Sequence, residues 1–223
     1  MAQQGRLICF EGIDGSGKTT VSCHVAKALG LENGRATFVE RRSTDYPQEY
    51  QRRRMTLYHQ LIWEYGEDPI HELGDLHSLY IMAGWFAVLD AVKVRPLLER
   101  YEYVIVDNWF YKFAARYALK KEVDFRHVLD CFSRLTRPHA VVLLDVSPET
   151  AAARKASFNL AETGSLDGFD GDPRDAFVRY QTAVSGVLRA FAAEEKWIVV
   201  PVDESERETV VAAAVLERLH RRS

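Results

Sequence analysis

Gly12-Ile13-Asp14-Gly15-Ser16-Gly17-Lys18-Thr19 completes the pattern G-x-x-x-x-G-K-[ST] and follows directly on the apolar run Leu7-Ile8-Cys9-Phe10. Glycines at these places let the backbone turn tightly and aim several N–H groups inward. A helix starting near Gly17 adds the positive end of its dipole. Such a cup fits an anionic polyphosphate. In loops of this pattern the lysine, here Lys18, reaches the β- and γ-phosphates, and the hydroxyl of Thr19 ligates Mg²⁺. Gly12, Asp14, Gly15, Ser16, Gly17, Lys18, Thr19 and Thr20 are therefore the expected binding residues for a nucleoside triphosphate, ATP or GTP. The plain structural alternative is a glycine-rich turn with no ligand.

Outward from the loop, β-like runs at 6 to 11, 36 to 40, 103 to 107, 140 to 145 and 197 to 202 alternate with helical stretches, which predicts a parallel sheet covered by helices on both faces. In such α/β sheets the ligand crevice lies beyond the carboxyl ends of the strands. Site residues are thus expected just past each run, at 40 to 44, 107 to 112 and 145 to 149. A helix is predicted over 48 to 65, broken by Gly66 and Pro69, and a second from Asp75 toward Arg95, kinked or ended by Pro96. Residues 163 to 175 are rich in Gly and Asp, with Pro173 leading into a helix, and read as a mobile loop suited to a lid.

The 223 residues, 47% of them hydrophobic, suit one α/β domain with a full core. A net charge of −3 gives no basic field, so neither a nucleic acid nor a membrane surface is expected as partner. Met1 to Gly5 lack a charged-then-apolar leader, and the longest uncharged apolar stretch, Leu79 to Leu89, is too short to span a bilayer. The chain reads as cytoplasmic. Cys9, Cys23 and Cys131 are odd in number and lack C-x-x-C spacing, which argues against disulfides and zinc and for small buried hydrophobes.

Taken together these residues resemble the thymidylate kinase family. The matches are the run from Phe10 to Thr20, Arg42-Ser43-Thr44, Val104-Ile105-Val106-Asp107, and Leu143-Leu144-Asp145-Val146-Ser147-Pro148-Glu149, with Arg95-Pro96 and Leu166-Asp167 also fitting. The resemblance spans nearly the whole chain. It implies a single P-loop kinase domain over 1–223 with sheet order 2-3-1-4-5, Mg-ATP as donor, an acceptor-binding region at about 40–117, a lid at about 154–175, and commonly a homodimer. Arg154 matches an arginine early in the family's lid and is the best candidate for a catalytic cation beside Lys18.

Three departures bear on the acceptor. The family carries a thymine-recognising arginine on the helix equivalent to residues 79 to 92, and this chain has no Arg or Lys there. The family's Asp-Arg at the end of the third strand is Asp107-Asn108, followed by Trp109. The arginine that meets the transferring phosphoryl group is missing from the phosphate loop, where Gly15 stands, and no basic residue lies between Lys155 and Arg174.

Transfer to a phosphate needs cations but no base, whereas transfer to a hydroxyl needs a positioned carboxylate. The lost arginines, with Asp14, Glu40 and Asp107 as candidate bases, favour a hydroxyl acceptor on a nucleoside- or sugar-like metabolite, an amino sugar included. Arg41 and Arg42 point instead to a genuine thymidylate or nucleoside monophosphate kinase, and Lys112 is a candidate replacement phosphate contact. A nucleotide-dependent switch or binding module is the reading from another class. Asp107 is equally a candidate Mg²⁺ carboxylate. Trp85, Phe86, Trp109, Phe110 and Tyr111 are candidate walls of the acceptor pocket, although such aromatics more often pack in cores, and Asn108 is a further candidate substrate contact. The acidic group Glu64, Glu67, Asp68, Glu72, Asp75 and Asp90 would suit a cationic acceptor if it faced inward and otherwise faces water.

Overall fold

From Leu7 to Glu11 the first strand is buried at every position, as a strand covered on both faces requires. The computed structural model describes residues 5–66, 68–204 and 206–222, so Glu67 of the acidic group lies outside the described residues. In chain order the elements are β1 (Arg6–Glu11), α1 (Lys18–Asn33), β2 (Ala36–Val39), α2 (Glu49–Trp63), α3 (Asp75–Leu89), α4 (Arg95–Leu98), β3 (Tyr103–Val106), α5 (Tyr111–Tyr117), α6 (Phe125–Phe132), β4 (Ala140–Asp145), α7 (Pro148–Ala153), α8 (Leu160–Thr163), α9 (Pro173–Glu194), β5 (Ile198–Pro201) and α10 (Glu208–His220). The strands form one parallel sheet in the order β2-β3-β1-β4-β5, as the resemblance implies. β1 sits at its centre, with Ile8 level with Ile105 on one side and Ala140 on the other.

This topology puts the exits of β1, β2 and β3 side by side. β2 and β3 end one residue earlier than expected, at Val39 and Val106, so Glu40 and Asp107 stand just past the sheet. Of the three thiols only Cys9 is buried; Cys23 and Cys131 are half-buried.

Pro96 neither ends the helical path nor kinks it alone. α3 runs into a single π turn over Asp90–Val94 and continues as α4, with the Arg95 N–H bonded to the Asp90 carbonyl. Proline lacks an N–H and its ring crowds the carbonyl four residues back, and a widened turn removes that conflict. Asp90 is 1% exposed and accepts from Arg95 Nε at 2.9 Å, Arg95 Nη2 at 2.8 Å and Thr136 N at 3.1 Å, so it is a structural carboxylate remote from any acceptor role. Asp90→Ala is expected to lower unfolding free energy by about 2 kcal/mol in denaturant titration, less than for a wholly buried pair because Arg95 is half exposed.

The segment expected as a loop is more ordered than its composition implied. Asn159 caps α8 by accepting from Glu162 N at 3.0 Å, a 3₁₀ turn covers Ser165–Asp167, and Asp172 caps α9. Lys120 pairs with Asp167 of this segment and, at 2.8 Å, with Asp75 at the start of α3, while the Tyr180 hydroxyl donates to Asp167 at 2.7 Å. Among the described residues no helix is long and apolar enough to cross a membrane.

Candidate active site

The loop between β1 and α1 has the shape its glycines demand. Gly12 and Gly15 have φ of +150° and +79°, and an added Cβ would lie 2.8 Å from the Leu144 carbonyl at the first and 2.9 Å from the Ala151 carbonyl at the second. Any side chain there would close the cradle. Lys18 Nζ donates to the Ile13 carbonyl at 2.6 Å and to Ser16 Oγ at 3.1 Å, so the ammonium is held inside its own loop. Burial pulls its pKa down, opposed by Asp14, Glu11 and Asp107. The Thr19 hydroxyl donates to Asp107 Oδ2 at 2.8 Å, and the other carboxylate oxygen accepts from Arg41 N at 3.3 Å. A hydroxyl against a carboxylate is a donor set that suits a hard cation such as Mg²⁺.

Asp14 is the knot of the site. Its carboxylate accepts from Lys112 Nζ at 2.8 Å, Arg116 Nη2 at 2.6 Å and Gln181 Nε2 at 3.3 Å, and its N–H donates to Gln181 Oε1 at 3.1 Å. Burial opposes its charge, but Lys112 and Arg116 hold it well below the usual carboxylate range. The same cluster draws Lys112 down to about 7: burial is the main cause, Asp14 opposes it, and Lys18, Arg116 and Arg41 add to it.

Beside this knot opens a cavity of about 930 Å³, walled by the end of α2, the start of α3, α5 and residues 158–162. Asp14, Arg41, Lys112 and Arg116 line its inner wall, with Trp63, Phe113, Ile81 and Met82 supplying apolar surface. Arg41 is 7% exposed, and its guanidinium lies 5.2 Å from both the Trp63 and Phe113 ring centroids, while its Nε and Nη1 have no hydrogen-bond partner. Burial, then the neighbouring Arg42, lowers its pKa to about 10, which leaves it charged at neutral pH. Arg42 is exposed and lines the same cavity, its guanidinium 5.2 Å from the Trp63 ring.

Several expected site residues lie elsewhere. Trp85 and Trp109 are both 0% exposed and absent from the cavity wall; Trp109 packs edge-on against Phe86. Asn108 is turned inward, donating to Glu11 Oε2 at 2.8 Å, beside Trp109 N, which donates to Glu11 Oε1 at 2.9 Å. Glu40 is exposed and outside the cavity. The Arg154 guanidinium donates to the Asp203 carbonyl at 3.2 Å. Of the acidic group, Glu64, Asp68, Glu72 and Asp75 line the cavity.

Sequence reasoning passed over Glu11, Trp63, Arg116 and Gln181. Arg116 carried a signal, since it stands four residues after Lys112 and so shares its helix face. Gln181 carried none, because only the tertiary fold brings α9 to the loop.

A family model for thymidylate kinase matches residues 10–213. The chain belongs to the thymidylate kinase family. It is 30% identical to the thymidylate kinase of Paracidovorax citrulli over 100% of this chain and 96% of that one, and 29% identical to that of Dinoroseobacter shibae over 98% of both. Among solved structures, thymidylate kinase from Candida albicans superposes with a TM-score of 0.68 at 16% identity, covering 98% of this chain and 92% of that one. Thymidylate kinase from Ehrlichia chaffeensis gives 0.61 at 18% identity, covering 98% and 99%. As a member of the thymidylate kinase family the chain is an ATP-dependent phosphotransferase, and the P-loop kinase fold expected from its sequence is the fold it has.

Proposed function

We propose that this kinase transfers the γ-phosphoryl group of ATP, with Mg²⁺, to the phosphate of a nucleoside monophosphate, thymidylate being the first candidate. The observation that carries this is Arg41. A charged guanidinium that is buried with two unpartnered N–H groups is costly unless an anion completes it. The phosphate of an acceptor in the adjoining cavity is that anion. Arg42 and Lys112 extend the same clamp, and the rings of Trp63 and Phe113 hold the Arg41 fork in place.

The hydroxyl reading has less support. Of its three candidate bases Asp14 is engaged by two cations, Asp107 by Thr19 and the Arg41 N–H, and Glu40 lies outside the cavity; on the cavity wall Glu64 pairs with His59 and Asp75 with Lys120, so Asp68 and Glu72 are the carboxylates a cationic acceptor would meet. A phosphate oxygen is already ionised and needs no base.

Backbone amides of residues 12–19 hold the donor phosphates, and Lys18 exchanges its contacts with Ile13 and Ser16 for phosphate oxygens. Thr19 and Asp107 would hold Mg²⁺, which when bound neutralises and orients the triphosphate. The segment 154–175 acts as the lid: Phe158 and Leu160 cover the cavity, and the Lys120–Asp167 pair fixes the cover, excluding water that would otherwise accept the phosphoryl group.

Lys112 predicts a pH dependence. In the free enzyme it loses its proton as pH rises through about 7 and then no longer attracts an anionic acceptor. The acceptor's kcat/KM is therefore expected to fall on the alkaline side of that value, and Lys112→Arg, charged throughout, is expected to remove this limb. An unchanged profile in the variant would deny Lys112 the role.

A coupled ADP-release screen across nucleoside monophosphates, nucleosides and amino sugars tests the whole reading. Turnover with monophosphates is expected to exceed hydrolysis in water alone, and nucleosides are expected to add nothing. Turnover with nucleosides or amino sugars only would overturn it, and no acceptor effect at all would favour a nucleotide-dependent switch.

A further inference from the structure

The phosphate loop lacks a basic residue at Gly15, and the exposed Arg154 donates to the Asp203 carbonyl; a cation added to Lys18 for the phosphoryl group in flight would sit where donor and acceptor adjoin. Asp14 marks the place. It is the third residue of the loop whose amides cradle the donor, yet its carboxylate lies on the wall of the acceptor cavity, so it stands at the seam between the two substrates.

Among the described residues, Lys112 and Arg116 are the two cations that both line that cavity and bond to a side chain of the loop. Arg41 and Arg42 lean on Trp63, Lys120 is taken by Asp75 and Asp167, and Lys18 is held within the loop. Of the pair at the seam, Arg116 has the directional donors. Its Nη2 donates to Asp14 Oδ2 at 2.6 Å, its guanidinium carbon lies 5.8 Å from the Tyr180 ring centroid, and its Nε is buried without a partner. Its charge is secure: burial opposes it, but Asp14, Tyr180 and Asp167 raise its pKa. A planar fork already immobilised by a carboxylate reaches charge that develops in the transition state without reorganising.

We propose that Arg116, steadied by Asp14, is the catalytic cation for phosphoryl transfer, contributed by α5 in place of an arginine from the lid or the phosphate loop. In the step it serves, the bond from the γ-phosphorus to the β–γ bridging oxygen breaks as a bond from an acceptor phosphate oxygen forms. The electron pair leaves on ADP and no proton moves. Arg116 contacts the non-bridging oxygens of the group in transit. Lys112, on the other carboxylate oxygen of Asp14, remains an acceptor contact.

This assignment rests on the nucleoside monophosphate kinase reading, and the test separates the two. Wild type, Arg116→Met and Arg116→Lys are compared at saturating Mg-ATP and thymidylate, with Mg-ADP affinity measured by calorimetry. Arg116→Met is expected to lower kcat by about a thousandfold while Mg-ADP affinity holds and the acceptor KM stays within about threefold. Arg116→Lys keeps the pair with Asp14 but not the fork, and is expected to lose at least about tenfold in kcat, which serves the comparison should the Met variant fail to bind Mg-ADP. Added guanidinium is expected to restore part of the turnover of Arg116→Ala. Variants that keep kcat, or that lose only acceptor KM, overturn the assignment while leaving the kinase reading intact. A wild type that phosphorylates no nucleoside monophosphate overturns both.

Discussion

Lys18→Ala is expected to lower phosphoryl transfer by about a thousandfold or more while leaving the fold intact. Among the described residues this buried ammonium bonds to Ile13 and Ser16 of its own loop, and burial opposes its charge. It packs against no other element through those bonds, so the helix it opens and the sheet behind it do not depend on it. Its value lies in the phosphates it meets. Steady-state turnover and a thermal melt on the same preparation check this. Turnover within about tenfold of wild type would remove the loop from the chemistry, because loss of even one positioned donor costs more than that.

Arg41→Ala is expected to lower the acceptor's kcat/KM by about a hundredfold to a thousandfold, through KM above all. The same change is expected to leave the melting temperature of the free protein unchanged or raise it, since it removes a buried charge whose Nε and Nη1 are unpaired. These two signs together are the signature of a residue kept for a ligand. A falling melting temperature with an unaltered acceptor KM would instead make Arg41 a structural pillar between Trp63 and Phe113.

The parts of this molecule legible in its sequence are those in which neighbouring residues fix each other's geometry. The phosphate loop is one continuous string, and its glycine torsions, Lys18 and Thr19 follow from it directly. Runs of mostly apolar residues mark all five strands, and the position of Asp107 at a strand end puts it in reach of Thr19. The acceptor side was harder because it is assembled from separate elements. Arg41, in the loop after β2, was legible as a phosphate contact, but Arg116, in the last turn of α5, joins it on the cavity wall only through the tertiary fold. Trp85 and Trp109 bear the chemistry of a pocket wall but face the core; apolar residues run round most of α3, so its periodicity does not single out the buried face, where Leu79, Trp85 and Phe86 lie while Leu76 and Tyr80 are exposed. Asn108 shows the same limit: its inward turn toward Glu11 depends on a partner ninety-seven residues away.

Phosphorus-31 NMR of the product formed from ATP and thymidylate addresses the nature of the acceptor atom most directly. The result predicted is a pair of coupled doublets from a new diphosphate, appearing with ADP in equal amount and vanishing in Lys18→Ala. A new uncoupled monoester singlet, from phosphate placed on a hydroxyl, would contradict it.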